Sequence, residues 1–207
     1  YQRRVRGMTQ QNIYKVLVIG PAMSGKTTFV NRLVHNKFEI DYKVSIGVNF
    51  QNHHIIKNGT KNILQLWDLA GQESFHSLSK MYSRNAQGCL LLLDVTLQKL
   101  ELVDQIQKWY SGFIETEQNI PCILLLNKID LIPDQDSLTQ LVNELKEIKQ
   151  FSDIILISCF DDYNVQESAG ILNDLMDENE AKKLVETQPV IIPQIEEIIV
   201  KKKKCCK

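Results

Sequence analysis

No uninterrupted apolar run in this 207-residue chain is longer than Cys89 to Leu93 or Cys122 to Leu126. A membrane-spanning helix needs roughly 18 such residues, so none of the chain crosses a bilayer as a helix. Glycine and proline are sparse at 9 and 5, and 43% of the residues are hydrophobic, which excludes collagenous, fibrous and wholly disordered chains. Cysteine is present five times, an odd number with no C-x-x-C pair, which argues against a zinc site or a disulfide framework. Cys89, Cys122 and Cys159 lie in apolar, strand-like runs and are expected to be small buried hydrophobes. His35, His53 and His54 have no spaced Cys, Asp or Glu partners, so they are expected to be exposed or capping rather than metal ligands. Behind Arg3, Arg4 and Arg6 the stretch Gly7 to Asn12 is polar, so the apolar segment of a secretory signal is missing and a cytosolic chain is expected.

Net charge is also nearly absent, at −1, but the balance is uneven. The first seven residues carry +3 and the last seven +5, which leaves residues 8–200 with 16 basic and 25 acidic groups. An acidic body of this kind does not suit nucleic acid, because phosphate affinity depends on a basic face. The basic tail is a separate device.

What the chain does have is a succession of short apolar runs ending in polar or glycine-bearing turns, with helix-like stretches between them, the pattern of an α/β sheet. Strands are predicted at Tyr14 to Gly20, Val48 to Lys57, Asn62 to Asp68, Gly88 to Asp94, Pro121 to Leu126 and Asp153 to Ser158. Asn58-Gly59 is a hairpin turn signal, so the second and third strands are predicted antiparallel and the rest parallel. Helices are predicted from about Gly25 to Asn36, Leu78 to Arg84, Leu100 to Glu117, Ser137 to Lys149 and Glu167 to Asn179. The 3.6-residue spacing of Leu102, Ile106, Trp109 and Phe113 gives one apolar face, with Trp109 in the core. Residues 1–12 read as a flexible extension, 13–180 as the folded domain and 181–207, broken by Pro189 and Pro193, as a linker and tail.

Gly20-Pro-Ala-Met-Ser-Gly25-Lys26-Thr27 satisfies G-x-x-x-x-G-K-[ST] between a strand and a helix, the setting in which the pattern cradles phosphates. The predicted set is Gly20, Ala22, Met23, Ser24, Gly25, Lys26, Thr27 and Thr28: backbone N–H groups and the helix N-terminus face the phosphates, Lys26 adds a full charge, and the Thr27 hydroxyl is offered to Mg²⁺. Asp68 puts a carboxylate at a strand end, where it can hold a Mg²⁺ water. After it, Gly71 can give its N–H to a γ-phosphate and Gln72 is the residue type that orients an attacking water. Asn127-Lys128-Ile129-Asp130 follows the fifth strand, where an open sheet presents its ligand crevice. Asp130 can accept from N1–H and the exocyclic amine of guanine, which adenine cannot supply, with Lys128 along the base plane and Asn127 bracing the phosphate loop.

Over about residues 13 to 180 these motifs resemble the Ras superfamily of small GTPases, and a P-loop fold follows: a six-stranded, mostly parallel sheet with one antiparallel strand and helices on both faces. The resemblance implies that Phe38 stacks on guanine, that Ser158 and Cys159 contact the base, and that Ser45 binds Mg²⁺ and reports the γ-phosphate. Within the superfamily, Ile46-Gly-Val-Asn-Phe50 and Leu66-Trp67-Asp68 look like the switch and inter-switch of the Rab family, and Lys15-Val-Leu-Val-Ile-Gly20, Val34-His35 and Leu64-Gln-Leu-Trp67 resemble its branch of lysosome-related organelles. That likeness implies an effector interface at Ile46, Phe50, Trp67 and Tyr82. Lys201 to Lys204 followed by Cys205 and Cys206 resembles the Rab tail in which both cysteines receive lipid. The implied protein is a monomeric switch cycling between GDP and GTP in membrane trafficking. It would serve on the cytoplasmic face of an intracellular membrane with a soluble pool, and would be handled by an exchange factor, an activating protein, an escort or dissociation inhibitor, and effectors.

Three departures from the family pattern matter. Ala22 and Met23 stand where small residues or glycine are usual, so slow intrinsic hydrolysis is expected. Ser45 stands for the usual Thr and keeps the hydroxyl without the methyl that helps order its loop, while Ser158-Cys159-Phe160 lacks the family's base-covering Lys, so binding with altered nucleotide affinity is expected. The alternative reading is a nucleotide-binding scaffold that no longer hydrolyses, against which Gln72 argues. A P-loop metabolic kinase would leave Asn127 to Asp130 unexplained.

Overall fold

Apolar runs with no polar side become strands buried on both faces, and three of them form the middle of the sheet. In the computed structural model, which describes residues 11–38, 48–57, 59–69, 82–114, 119–147 and 151–186, the strands are β1 (Gln11–Ile19), β2 (Val48–Lys57), β3 (Thr60–Leu69), β4 (Gly88–Asp94), β5 (Cys122–Asn127) and β6 (Asp153–Leu156). Their order is β2-β3-β1-β4-β5-β6, with β2 and β3 antiparallel and every other pair parallel. The register Lys57↔Thr60 leaves a two-residue turn, and Gly59 there has φ +79°, as such a hairpin requires. Asn58 lies outside the described residues.

Among the described residues four helices cover the sheet: α1 (Lys26–His35), α2 (Lys99–Ile114), α3 (Gln135–Lys146) and α4 (Val165–Glu186). Side chains alternate across a strand, so β1 sends Val16 and Val18 to one face and Leu17 and Ile19 to the other. The first face is closed by Phe29, Val30 and Leu33 of α1 with Ala169, Leu172 and Met176 of α4. The second is closed by Leu102, Ile106, Trp109 and Phe113 of α2 with Leu138 and Leu145 of α3. Trp109 is therefore core, and Cys89, Cys122 and Cys159 are buried free thiols, as read from the sequence.

Boundaries differ where a cap or a tertiary bond decides them. α3 starts two residues before its predicted start, because the Asp134 carboxylate accepts from the N–H groups of Asp136 and Ser137 and fixes the first turn there. α4 runs on to Glu186, past the predicted end at Asn179, since nothing breaks it before Pro189. It is also fastened to the strands: the Tyr14 hydroxyl donates to Asp177 at 2.5 Å, Asn62 Nδ2 donates to Asn173 Oδ1 at 2.8 Å, and Lys57 pairs with Asp174. Of the predicted helix Leu78 to Arg84, only Tyr82 to Arg84 are described, with Tyr82 and Ser83 helical; the last residues of the predicted 100–117 helix lie outside the described residues.

Candidate functional site

The five mutually parallel strands β1, β3, β4, β5 and β6 end on the same side of the sheet, β3 with its carboxylate among them. Gly20 has φ +139°, and a Cβ on it would stand 2.1 Å from the Leu92 carbonyl oxygen; Gly25 has φ +96°, and its Cβ would stand 2.3 Å from Asn127 Nδ2. Only glycine fits either position, so the two glycines of the motif are demanded by the backbone path as well as by any ligand. Between them Met23 takes φ +64°, a left-handed conformation that glycine adopts freely, and its side chain is 66% exposed at the loop's apex.

Behind the loop, α1 begins with Lys26, whose buried Nζ donates to the Pro21 carbonyl at 2.7 Å. Burial lowers the Lys26 amine to about 8, partly countered by the charge of Asp68. Val18 pairs in register with Asp68, which carries the carboxylate to the same depth as the phosphate loop. Thr27 Oγ1 donates to Asp68 Oδ2 at 2.7 Å. Asp68 is 2% exposed and burial raises its carboxyl above the ordinary range, against the hydrogen bond from Thr27 and the Lys26 charge. Its Oδ1, and the Ser24 Oγ nearby in the chain's loop, are buried without a hydrogen-bond partner. An anionic oxygen left bare beside a threonine hydroxyl is a donor set of the hard-oxygen kind that Mg²⁺ takes.

The loops after β5 and β6 are joined more completely. Asn127 Nδ2 donates to the Ser24 carbonyl at 2.9 Å, and its Oδ1 accepts from the Cys159 N–H at 3.2 Å. One amide thus holds three loops in one arrangement. Lys128, at φ +73°, reaches back to Asp94 at the end of β4, with Nζ 2.6 Å from Oδ2. Burial pushes Asp94 up, but hydrogen bonds from Lys128 and Thr96 outweigh it and hold the carboxyl below its usual value. The exposed Asp130 carboxylate accepts from Ser158 Oγ at 2.7 Å, and that hydroxyl accepts in turn from the Asp161 N–H at 3.0 Å. Phe38, just past α1, lies edge to face with Phe160, ring centroids 5.2 Å apart.

The predicted residues Gly20, Ala22, Met23, Ser24, Gly25, Lys26, Thr27, Thr28, Phe38, Asp68, Asn127, Lys128, Asp130, Ser158 and Cys159 thus belong to loops, turns, strand ends and the first turn of α1 that meet on one side of the sheet. Ser45, Ile46, Gly71, Gln72, Cys205 and Cys206 lie outside the described residues. Away from this crevice, Phe50 stacks on Trp67 at 5.9 Å and Trp67 approaches Tyr82 at 6.1 Å. Phe50 is 58% exposed, while Tyr82 and Trp67 are half-buried and Trp67 also packs against the core on that face of the sheet, so the row runs from the core edge out to the surface. Lys15 Nζ sits 4.4 Å from the Trp67 ring and donates to the Arg84 carbonyl, fixing that row to β1. Sequence reasoning missed Asp94, Arg32 and Lys15. Asp94 left a signal, since an acid closes an apolar strand in register with Asn127; the two basic residues left none.

A strand, a glycine-bounded loop and a helix headed by Lys-Thr, facing a carboxylate at one strand end and Asn-Lys-x-Asp at another, define a P-loop protein of the guanine-nucleotide class. Residues 15–130, more than half of the chain, match the family described as "Ras of Complex, Roc, domain of DAPkinase". The chain is 34% identical to Ras-related protein Rab-32C of Dictyostelium discoideum over 74% of its own length and 69% of that protein. It is 31% identical to Ras-related protein Rab-7L1 of Rattus norvegicus over 86% of its length and 88% of that protein. To the Ras and EF-hand domain-containing protein homolog of Mus musculus it is 42% identical, but it spans only 20% of that protein. This chain belongs to the Ras superfamily of small GTPases, in its Rab branch.

Proposed function

We propose that this small GTPase is a GDP/GTP switch in membrane trafficking. The carrying observation is the Thr27–Asp68 pair at 2.7 Å with Asp68 Oδ1 bare beside it, directly behind a phosphate loop that already holds a buried lysine. Thr27 and Asp68 would hold Mg²⁺, with Ser45 joining them as the resemblance implies. The ion supplies charge neutralisation to the phosphates when bound. Lys26 meets the phosphates with a full charge, Asp130 reads the guanine edge, and the Lys128 stem lies along the base. Gln72 positions the attacking water, and Ser45 and Gly71 couple the γ-phosphate to two loops, so partners that prefer the ordered loops bind only the GTP form.

Three further features support the Rab-type reading. The relatives carry Rab names, the row Phe50, Trp67 and Tyr82 gives effectors an aromatic surface, and the tail offers two cysteines beside a run of lysines. Two lipid chains with basic residues next to them suffice for stable anchoring to an anionic cytoplasmic leaflet. No helix among the described residues is long and apolar enough to cross a membrane. On this reading a soluble pool held by a dissociation inhibitor exchanges with the membrane form. An exchange factor and an activating protein set the nucleotide state.

Single-turnover GTP hydrolysis tests the reading. Wild type should hydrolyse GTP slowly alone and faster with a cell extract, while Gln72→Leu should lose the stimulated rate and keep nucleotide affinity. GTP that binds tightly and is never turned over, with or without extract, would make the protein a scaffold. Cys205 and Cys206 both changed to Ser should leave GTP binding intact and move the protein to the soluble fraction.

A further inference from the structure

The face of the sheet that α2 and α3 close is left open at one corner, over the starts of β1 and β3 and the end of β2. Alternation along the strands brings Ile13, Ile63 and His54 into one row across that corner, with Lys61 and Ile56 in the next. Leu17 and Trp67, further along the same strands, pack with the helices on this face. Ile13 and Ile56 belong to neither half of the core and are 58% and 77% exposed, so the corner is unpartnered among the described residues. Its charge is also of one sign. Lys61 and Lys15 stand on that side, and no carboxylate occurs within residues 11–15, 52–56 or 61–65. Residues 8–200 carry 25 acidic groups against 16 basic, so an apolar and positive corner is set apart from the rest of the body.

The length of the chain brings one segment to it. At Asp177, which binds Tyr14 and Asn62, α4 is level with the strand starts. The helix ends nine residues later at Glu186, about 14 Å further on at 1.5 Å per residue. From there nine residues of extended chain, about 30 Å, reach Ile195, enough to return to the strand starts and round them to the opposite face. Ile191, Ile192, Ile195, Ile198 and Ile199 put five isoleucines into nine residues, and residues 187–200 contain Glu196 and Glu197 but no basic residue. The isoleucines match Ile13 and Ile56, and the two carboxylates match Lys61. Residues 1–10, which lead straight into β1, offer the wrong charge, since they carry Arg3, Arg4 and Arg6 and no acid.

We propose that residues 191–199 dock on this corner of their own domain. The docked segment covers Ile13 and Ile56 with its isoleucines and brings Glu196 and Glu197 to Lys61. Only Lys201 to Lys204 and the two cysteines then separate the domain from its lipid anchor, in place of a tether that starts at residue 187. The domain is held close to the membrane surface by its own tail. No residue of the nucleotide site takes part.

The test uses the full-length, unlipidated protein in its GDP form, with the photo-crosslinker p-benzoylphenylalanine in place of Ile195. Isotope-labelled and unlabelled protein are mixed, irradiated at low micromolar concentration, and the adducts mapped by mass spectrometry. Adducts should form within one chain, on residues 11–13, 54–56 and 61–63. Ile13→Lys combined with Ile56→Lys should lower their yield about tenfold, as loss of two apolar contacts would. GDP release from that variant should stay within about twofold of wild type, which shows the domain intact. Lys61→Glu should lower the yield more at low salt than at high salt, and adding Glu196→Lys and Glu197→Lys should restore it. Adducts that join only labelled to unlabelled chains would give the corner to a second copy and overturn the docking. Adducts scattered over α2 and α3, or a yield unmoved by the double lysine variant, would overturn it as well. Reaction only with lipid, when phosphatidylcholine–phosphatidylserine vesicles are added, and nowhere on the chain without them, would assign the segment to the membrane instead.

Discussion

The two ends of the candidate site are finished to different degrees. At the base end each group found there has a protein partner: Asn127 uses its amide nitrogen on Ser24 and its oxygen on Cys159, Lys128 pairs with Asp94, and Asp130 is held by Ser158. At the phosphate end, the Lys26 ammonium is buried against one carbonyl, and Ser24 Oγ and Asp68 Oδ1 are buried without a partner. Buried polar groups are ordinarily satisfied, and a cluster of exceptions marks a place where something else is due. On the proposed function, the base end is a preformed gauge and the phosphate end is completed by its ligand. Nucleotide binding should accordingly stabilise the first turn of α1 and the end of β3 far more than the loops after β5 and β6.

The sharpest break in this comparison is Asp130→Asn. Two hydrogen bonds from guanine to a carboxylate are worth about 1.5–3 kcal/mol each, so the variant should lose GDP affinity on the order of 1000-fold. It should gain xanthine diphosphate, whose exocyclic oxygen suits an amide donor. Competition binding with GDP, XDP and ADP checks this, and a wild type that takes ADP as well as GDP would refute the assignment. Because the gauge is preformed, the variant should fold with nearly wild-type stability.

Lys26 tests the other end. Lys26→Met removes the only full positive charge that the motif brings to the phosphates, and GDP affinity should fall about 100-fold. The same residue gives the site a pH dependence of defined sign. Its folded value of about 8 lies below the ordinary 10.5, so between these values the ligand-free fold binds fewer protons than the unfolded chain. Its stability from this group therefore rises with pH across that window, while affinity for a diphosphate falls as the cation is lost. Between pH 7.5 and 8.5 the affinity should drop about threefold at fixed Mg²⁺, and Lys26→Met should flatten that dependence. A profile equally steep in both proteins would assign the titration to another group.

How much of this was legible in the sequence follows from where the forces act. The strands were readable because their burial is written as consecutive apolar residues, Leu90 to Leu93 and Ile123 to Leu126 above all. The phosphate loop and Asp130 were readable because their chemistry is carried by residues close together along the chain. What escaped depends on contacts across the fold. Asp94 meets Lys128 only because β4 and β5 pair in register, and Arg32, on a helix surface, reads as a solvated charge until the loop after β6 is seen to fold over it. Phe160 was read as a lysine that is missing; the structure shows a ring with a partner. α4 overran its predicted end because nothing breaks it before Pro189, and polar residues on it that look solvated, Asn173 and Asp177, bind Asn62 and Tyr14 of the sheet.

The smallest expected effect tests whether the phosphate end is also strained before its ligand arrives. Met23 holds φ +64° with its side chain largely in solvent, so no packing of that side chain accounts for the conformation. A left-handed L-residue costs about 1–2 kcal/mol, and glycine would remove that cost. Glycine also gives the unfolded chain more freedom, which offsets roughly 0.5–1 kcal/mol of the gain. Met23→Gly should therefore stabilise the ligand-free domain by about 0.5 kcal/mol, measurable as a small rise in the denaturant midpoint with an unchanged slope. The same variant opens the approach to the γ-phosphate, so intrinsic hydrolysis should quicken if the thioether screens the attacking water. Stability and rate separate the two roles: a faster enzyme with an unmoved midpoint would make Met23 a screen without strain. A moved midpoint with an unmoved rate would place the strain in the loop and the slow chemistry elsewhere, in the loop that carries Gln72.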